Sequence, residues 1–119
     1  MTGIRNHDKV KAALEKVWLH SRPEAFSRLA TLEGFAEELR SGTAHPEHLA
    51  AAELAAHRLS GSLGMFGLDD ASSCAAEIEA VLCHQSAPDI TVMAGLVRRL
   101  RNLMEGTPPT AKIPHKHDL

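Results

Sequence analysis

"AAHRLSGSLGMFGLDD", residues 55–70, decides how this chain folds. Three glycines, Gly61, Gly64 and Gly67, fall within seven residues, yet the flanking pattern is helical. In a helix interior each glycine costs about 1 kcal/mol relative to alanine. With His57 at zero on a helical wheel, Ala55, Leu59, Ser62 and Phe66 fall between about 140° and 200°, beside Leu63 and Ala52. That is the expected core stripe, and His48, in the first turn, falls on it too. His57 therefore points away from the core. Ala50, Glu53, Leu54, Ser60, Gly61 and Gly64 surround it within about 60°. Gly61 and Gly64 lie one and two turns after His57 and clear side chains from its surroundings. A large partner can then bring its backbone close to the imidazole. Gly67, at the end of the helix, suits a C-terminal cap with positive φ.

The same pattern extends in both directions. β-branched residues are scarce, no period-two alternation occurs, and alanine and leucine dominate, so an all-α domain is expected. A first helix is expected over about 7–20, with Val10, Leu14, Val17 and Trp18 on one side. "SRPE" at 21–24 reads as a restart, with Ser21 as cap, Pro23 in the first turn and Glu24 answering the cap. The second helix then runs to about 41 and ends at Gly42. The third, which carries His57, runs from near Pro46 to about Phe66. Asp69 is the expected cap of the fourth, which holds Cys74, Ala75, Ile78 and Leu82. Ser86 is the expected cap of the fifth, with Asp89 at its third position. From Gly106 the segment "GTPPTAKIPHKHDL" has three prolines and no apolar period, and reads as a flexible tail or linker. Short connections make successive helices antiparallel. The expected fold is an up-down-up-down four-helix bundle over about 22–105 with an additional N-terminal helix.

Bulk properties narrow the function. The chain has 119 residues, 44% hydrophobic and 24% charged, with net charge -2. That is one domain, with no electrostatic footprint for nucleic acid. No apolar run approaches the ~20 residues that span a bilayer. The N-terminus lacks the apolar centre of a signal peptide. A cytoplasmic location is expected. Cys74 and Cys83 face opposite sides of one helix, about 13 Å apart along its axis. Both are expected as free thiols, at least one of them in the core.

Residues 55–68, "AAHRLSGSLGMFGL", resemble the histidine-containing phosphotransfer (HPt) domain of two-component phosphorelays. His57, Leu59, Gly61, Ser62, Phe66, Gly67 and Leu68 fill that family's signature, and "AAEIEAVL" resembles its following helix. The resemblance covers roughly 24–104. The lysine often found three residues after the histidine is Ser60 here. The resemblance implies that His57 accepts a phosphoryl group through a neutral ring nitrogen, Nε2, from a receiver-domain phospho-aspartate and passes it to another receiver. It also implies a carrier and not an autonomous kinase, with receiver domains and a sensor histidine kinase as partners. No cofactor is expected on this chain, Mg²⁺ being supplied by the receiver. Nucleic acid and membrane are not expected partners, and a monomer is expected. Histidine ordinarily titrates near about 6.5, so the neutral nucleophile is abundant near neutral pH. Glu53, Leu54, Arg58, Ser60, Gly61 and Gly64 are the candidate docking residues around it.

Other chemistries find less support. A di-iron bundle needs Glu-x-x-His on two helices, and no such pair exists. His45 with His48, and His115 with His117, are weak ligand sets, so no metal is expected. Glu77 and Glu79 read as a solvated face, and Ser62 as a small residue directed to the core. The alternative function is a phosphorylation-independent adaptor that docks receivers through the His57 face.

Overall fold

Trp18 and Ala25 stand two turns apart on either side of Pro23, and both are buried. That pairing decides how the chain begins. The computed structural model describes residues 2–84 and 88–106, with side chains for 9–83 and 88–106. The expected break at Ser21–Glu24 is absent. One helix, α1 (Thr2–Ser41), runs through Pro23 for 40 residues. Proline removes one backbone hydrogen bond and crowds the preceding turn. The continuous stripe of Trp18, Ala25, Leu29, Leu32 and Phe35, buried on one face, outweighs that cost. The additional N-terminal helix is thus the leading part of α1, and Ser21 lies mid-helix, half-buried, instead of capping.

Three further helices follow: α2 (Pro46–Met65), α3 (Asp69–His84) and α4 (Ile90–Gly106). Each packs on its sequence neighbours, and α4 closes the ring on α1. This is the expected four-helix bundle. All buried side chains among the described residues are apolar or thiol. Polar chemistry is therefore confined to the surface and the seams between helices.

The turns follow local rules. At the end of α2, Gly67 takes φ 79°, its amide donates to the Gly64 carbonyl at 3.1 Å, and the Leu68 amide donates to the Leu63 carbonyl at 3.0 Å. Those paired bonds form a Schellman cap, with Leu63 and Leu68 both buried beneath it. Gly42 ends α1 the same way, at φ 75°, with Thr43 donating to the Glu38 carbonyl at 2.9 Å. One expected cap moves. Helix α3 starts on Asp69 itself, and its first amide bond, from Ser72, reaches the Leu68 carbonyl at 2.9 Å. Asp89 caps α4: its Oδ1 accepts the Val92 amide at 3.1 Å. A short acidic side chain satisfies such an orphan amide well. Ser86 lies outside the described residues, as does the expected tail from 107 onward, while Gly106 belongs to α4.

Arg101 fastens the ring shut. Its guanidinium reaches Glu33 on α1 through two nitrogens, at 2.5 and 3.0 Å, and Glu105 at 2.5 Å. Hydrogen bonds to these two carboxylates raise its already high pKa further. Midway along α1, the Trp18 ring lies 5.4 Å from that of Phe66, tilted by 56°. Helix α1 rises about 60 Å and α2 about 30 Å, so the turns before Trp18 extend past the end of α2. There Val10 and Val17 are 57% and 50% exposed.

Trp18 is the anchor of this arrangement. Trp18→Ala should cost about 3–5 kcal/mol, the usual loss for a buried aromatic. Denaturant unfolding would show it as a lower midpoint at unchanged slope. A loss below about 1 kcal/mol would mean that α1 is not held to the α2 turn through this ring.

Candidate functional site

Helix α2 presents His57 where the wheel places it. Ala52, Ala55, Ala56, Leu59 and Leu63 are buried on the opposite side, and the His57 side chain is 68% exposed. Phe66 is buried, and Ser62 is half-buried with its hydroxyl turned to the Leu59 carbonyl at 3.4 Å. His48 departs from the expected core stripe. It is exposed in the first turn of α2, where its Nδ1 meets Glu38 Oε1 of α1 at 2.8 Å. The core stripe begins only at Ala52, one turn later.

His57 is not alone on its face. Its Nδ1 lies 2.9 Å from Glu79 Oε2 on α3. A carboxylate in its ionised form can only accept, so this contact selects the tautomer of the neutral ring with the proton on Nδ1 and the lone pair on Nε2. Nε2, across the ring, is the nitrogen left for solvent or a partner. The reading of Glu79 as a solvated residue is thereby corrected: its side chain is 29% exposed and turned to the imidazole. Glu77 does face solvent, 3.6 Å from Arg99.

One turn from this pair, the Cys83 thiol donates to Glu53 Oε2 at 2.6 Å. Both cysteines are free, Cys74 buried and Cys83 exposed. Burial pushes the Cys74 thiol above the usual range, and its Sγ donates to the Leu96 carbonyl. The hydrogen bond to Glu53, then burial, then the negative charges of Glu53 and Glu79 push Cys83 upward as well. Neither Glu53 nor Glu79 is paired with a lysine or arginine among the described residues. The surroundings of His57 are therefore acidic, and Ser60 offers no ammonium to offset them.

The other candidate docking residues divide. Leu54 is 47% exposed, and Arg58 is exposed on the flank. A side chain added at Gly61 meets nothing within 4 Å, so this glycine opens the surface as expected. Gly64 does something else. A Cβ there would stand 3.2 Å from Ser72 Oγ of α3, and that hydroxyl donates to the Ser60 carbonyl at 2.7 Å. Gly64 seats a neighbouring side chain more than it clears space for a partner. Ser60 is half-buried.

Metal chemistry finds no centre among the described residues, where no group of three or more His, Cys, Asp or Glu side chains gathers as a metal site. His45 and His48 only meet ring edge to ring face, 5.3 Å apart, and His115 and His117 lie outside the described residues. No described helix is long and apolar enough to cross a membrane.

The site is thus an exposed histidine with a carboxylate on Nδ1, midway along the second helix of a four-helix bundle. The Hpt domain model matches residues 19–107. The chain belongs to the Hpt domain family. Hpt domains are helical phosphocarrier modules that serve histidine phosphotransfer in two-component phosphorelays and interact with receiver domains and histidine kinases. The Hpt match begins at Leu19, beside the Trp18 anchor, and spans all four bundle helices. No curated protein and no solved structure matches the chain.

The thiolate, not the thiol, is the form that alkylates. With its pKa raised, Cys83 should react with iodoacetamide more slowly at neutral pH than a free thiol does, and its rate should climb only at higher pH. Glu53→Gln removes the main cause, so the pH midpoint of the reaction should fall and the neutral rate rise. An unchanged midpoint in that variant would mean that Glu53 does not hold the Cys83 proton.

Proposed function

We propose that His57 is the phosphoacceptor of this Hpt domain, acting through Nε2. The observation that carries the reading is the Nδ1 contact with Glu79 on an otherwise exposed ring. Nε2 attacks the phosphorus of a receiver phospho-aspartate. The N–P bond forms as the P–O bond to the aspartate breaks, and the aspartate leaves as a carboxylate. The imidazole keeps its Nδ1 proton and becomes cationic in the ring. Glu79 stabilises that charge, as a carboxylate does for any imidazolium whose Nδ1–H it accepts. The reverse step, to a second receiver, runs through the same geometry.

Phosphoryl transfer asks for in-line positioning and charge neutralisation more than for covalent machinery. The acidic surroundings of His57 leave most of that neutralisation to the receiver, including its Mg²⁺. A phosphoryl group on His57 would stand on the face that carries Glu53, with no lysine at position 60, which favours onward transfer over storage. The domain acts as carrier and not as kinase, works as a monomer in the cytoplasm, and takes part in a relay that starts at a sensor histidine kinase. Leu54, Arg58 and Gly61 are the docking surface beside it, with Glu53, Ser60 and Gly64 along its α3 edge.

His57→Gln tests this directly. Incubated with a phosphorylated receiver, the wild-type chain should gain acid-labile, alkali-stable label, and the variant none. Helicity and melting should stay nearly unchanged, because His57 is exposed and its glutamine replacement keeps a polar partner for Glu79. Label on the variant at the wild-type rate would remove His57 as acceptor. Receiver binding without label on the wild-type chain would instead favour the adaptor.

A further inference from the structure

Three pairs that face each other across α2 and α3 join residues equally far from Leu68 in sequence. Gly64 and Ser72 stand four residues away, His57 and Glu79 eleven, Glu53 and Cys83 fifteen. They are the rungs of one antiparallel seam. At the rung nearest the turn a side chain of α3 meets the backbone of α2. Ser72 Oγ donates to the Ser60 carbonyl at 2.7 Å, and a Cβ on Gly64 would crowd it: that atom would stand 3.2 Å from the hydroxyl oxygen and 3.8 Å from Ser72 Cβ.

We propose that Ser72 is a positioning residue for His57, its hydroxyl fixing the rotation of α3 that brings the Glu79 carboxylate to Nδ1. Ser72 and Glu79 are seven residues apart, so they differ by only about 20° around α3. A rotation that breaks the hydroxyl bond therefore carries the carboxylate off the imidazole. Hydrogen bonds weaken steeply with misalignment, so a small rotation is enough to free Nδ1. The proton then distributes between the two ring nitrogens, and Nε2 is an available nucleophile for only part of the time. Gly64 takes part by providing the seat. The consequence for transfer rests on His57 being the acceptor; the consequence for the ring proton does not.

The test is a cycle of Ser72→Ala, Gly64→Ala and the double variant in the full chain. Long-range ¹H–¹⁵N spectra of the His57 ring read the tautomer. Label uptake from a receiver domain charged with acetyl phosphate reads transfer. Ser72→Ala should shift the ring from the Nδ1–H form toward a mixture and slow labelling about three- to tenfold, with helicity unchanged. Gly64→Ala should shift the ring in the same direction and by less, because its Cβ presses on the hydroxyl at 3.2 Å. Added to Ser72→Ala it should change the tautomer little, since the remaining approach to the position-72 Cβ, 3.8 Å, is an ordinary contact. A wild-type tautomer in Ser72→Ala, or effects of the two substitutions that simply add, would overturn the proposal. Should label never appear on His57 in any of these chains, the acceptor reading fails, and the tautomer spectra still decide the role of Ser72.

Discussion

The hydrogen bond between His57 Nδ1 and Glu79 Oε2 is the contact on which the proposed chemistry of this bundle depends. It joins two helices, so it exists only while α2 and α3 keep their register. It places the ring proton on one nitrogen and leaves the other as a nucleophile. In the proposed transfer, it also sets a negative charge where the ring would become positive. A lone exposed imidazole has none of these properties: it changes tautomer freely and turns about its side-chain bonds.

The fold serves that contact by making the α2–α3 pair rigid. The Schellman cap at Gly67 fixes the turn, Leu63 and Leu68 close it underneath, and Trp18 covers Phe66 from α1. Alanines at 52, 55, 56, 71 and 75 are buried between the helices, so the backbones approach closely enough for short polar side chains to meet across the seam. The Arg101–Glu33 pair holds α4 to α1 on the other side, away from the surface where a partner would dock.

Much of this was legible in the residues of α2. Its apolar spacing gave the helix, the buried face and the exposed position of His57, because a 3.6-residue period determines all three together. The Gly67 cap was readable because only positive φ explains a glycine between Phe66 and a new helix. Periodicity said nothing about Glu79, whose wheel position describes α3 alone, whereas its role depends on how α3 is turned toward α2. A usable signal did exist: in antiparallel helices joined by a tight turn, residues equally far from the turn stand opposite each other, and His57 and Glu79 are such a pair about Leu68. Pro23 misled for the opposite reason. Its local preference for a helix start was overridden by Trp18 and Ala25, which a single helix buries together.

The chain contains eight histidines, and the account commits to one nitrogen of one of them. The most direct measurement is to charge ¹⁵N-histidine-labelled protein with a phosphorylated receiver and locate the N–P bond by ¹⁵N–³¹P correlation at alkaline pH. A single phosphoramidate on Nε2 of His57, with the Nδ1 proton retained, is the predicted result. A phosphoryl group on Nδ1 of His57, or on any other histidine, would contradict it.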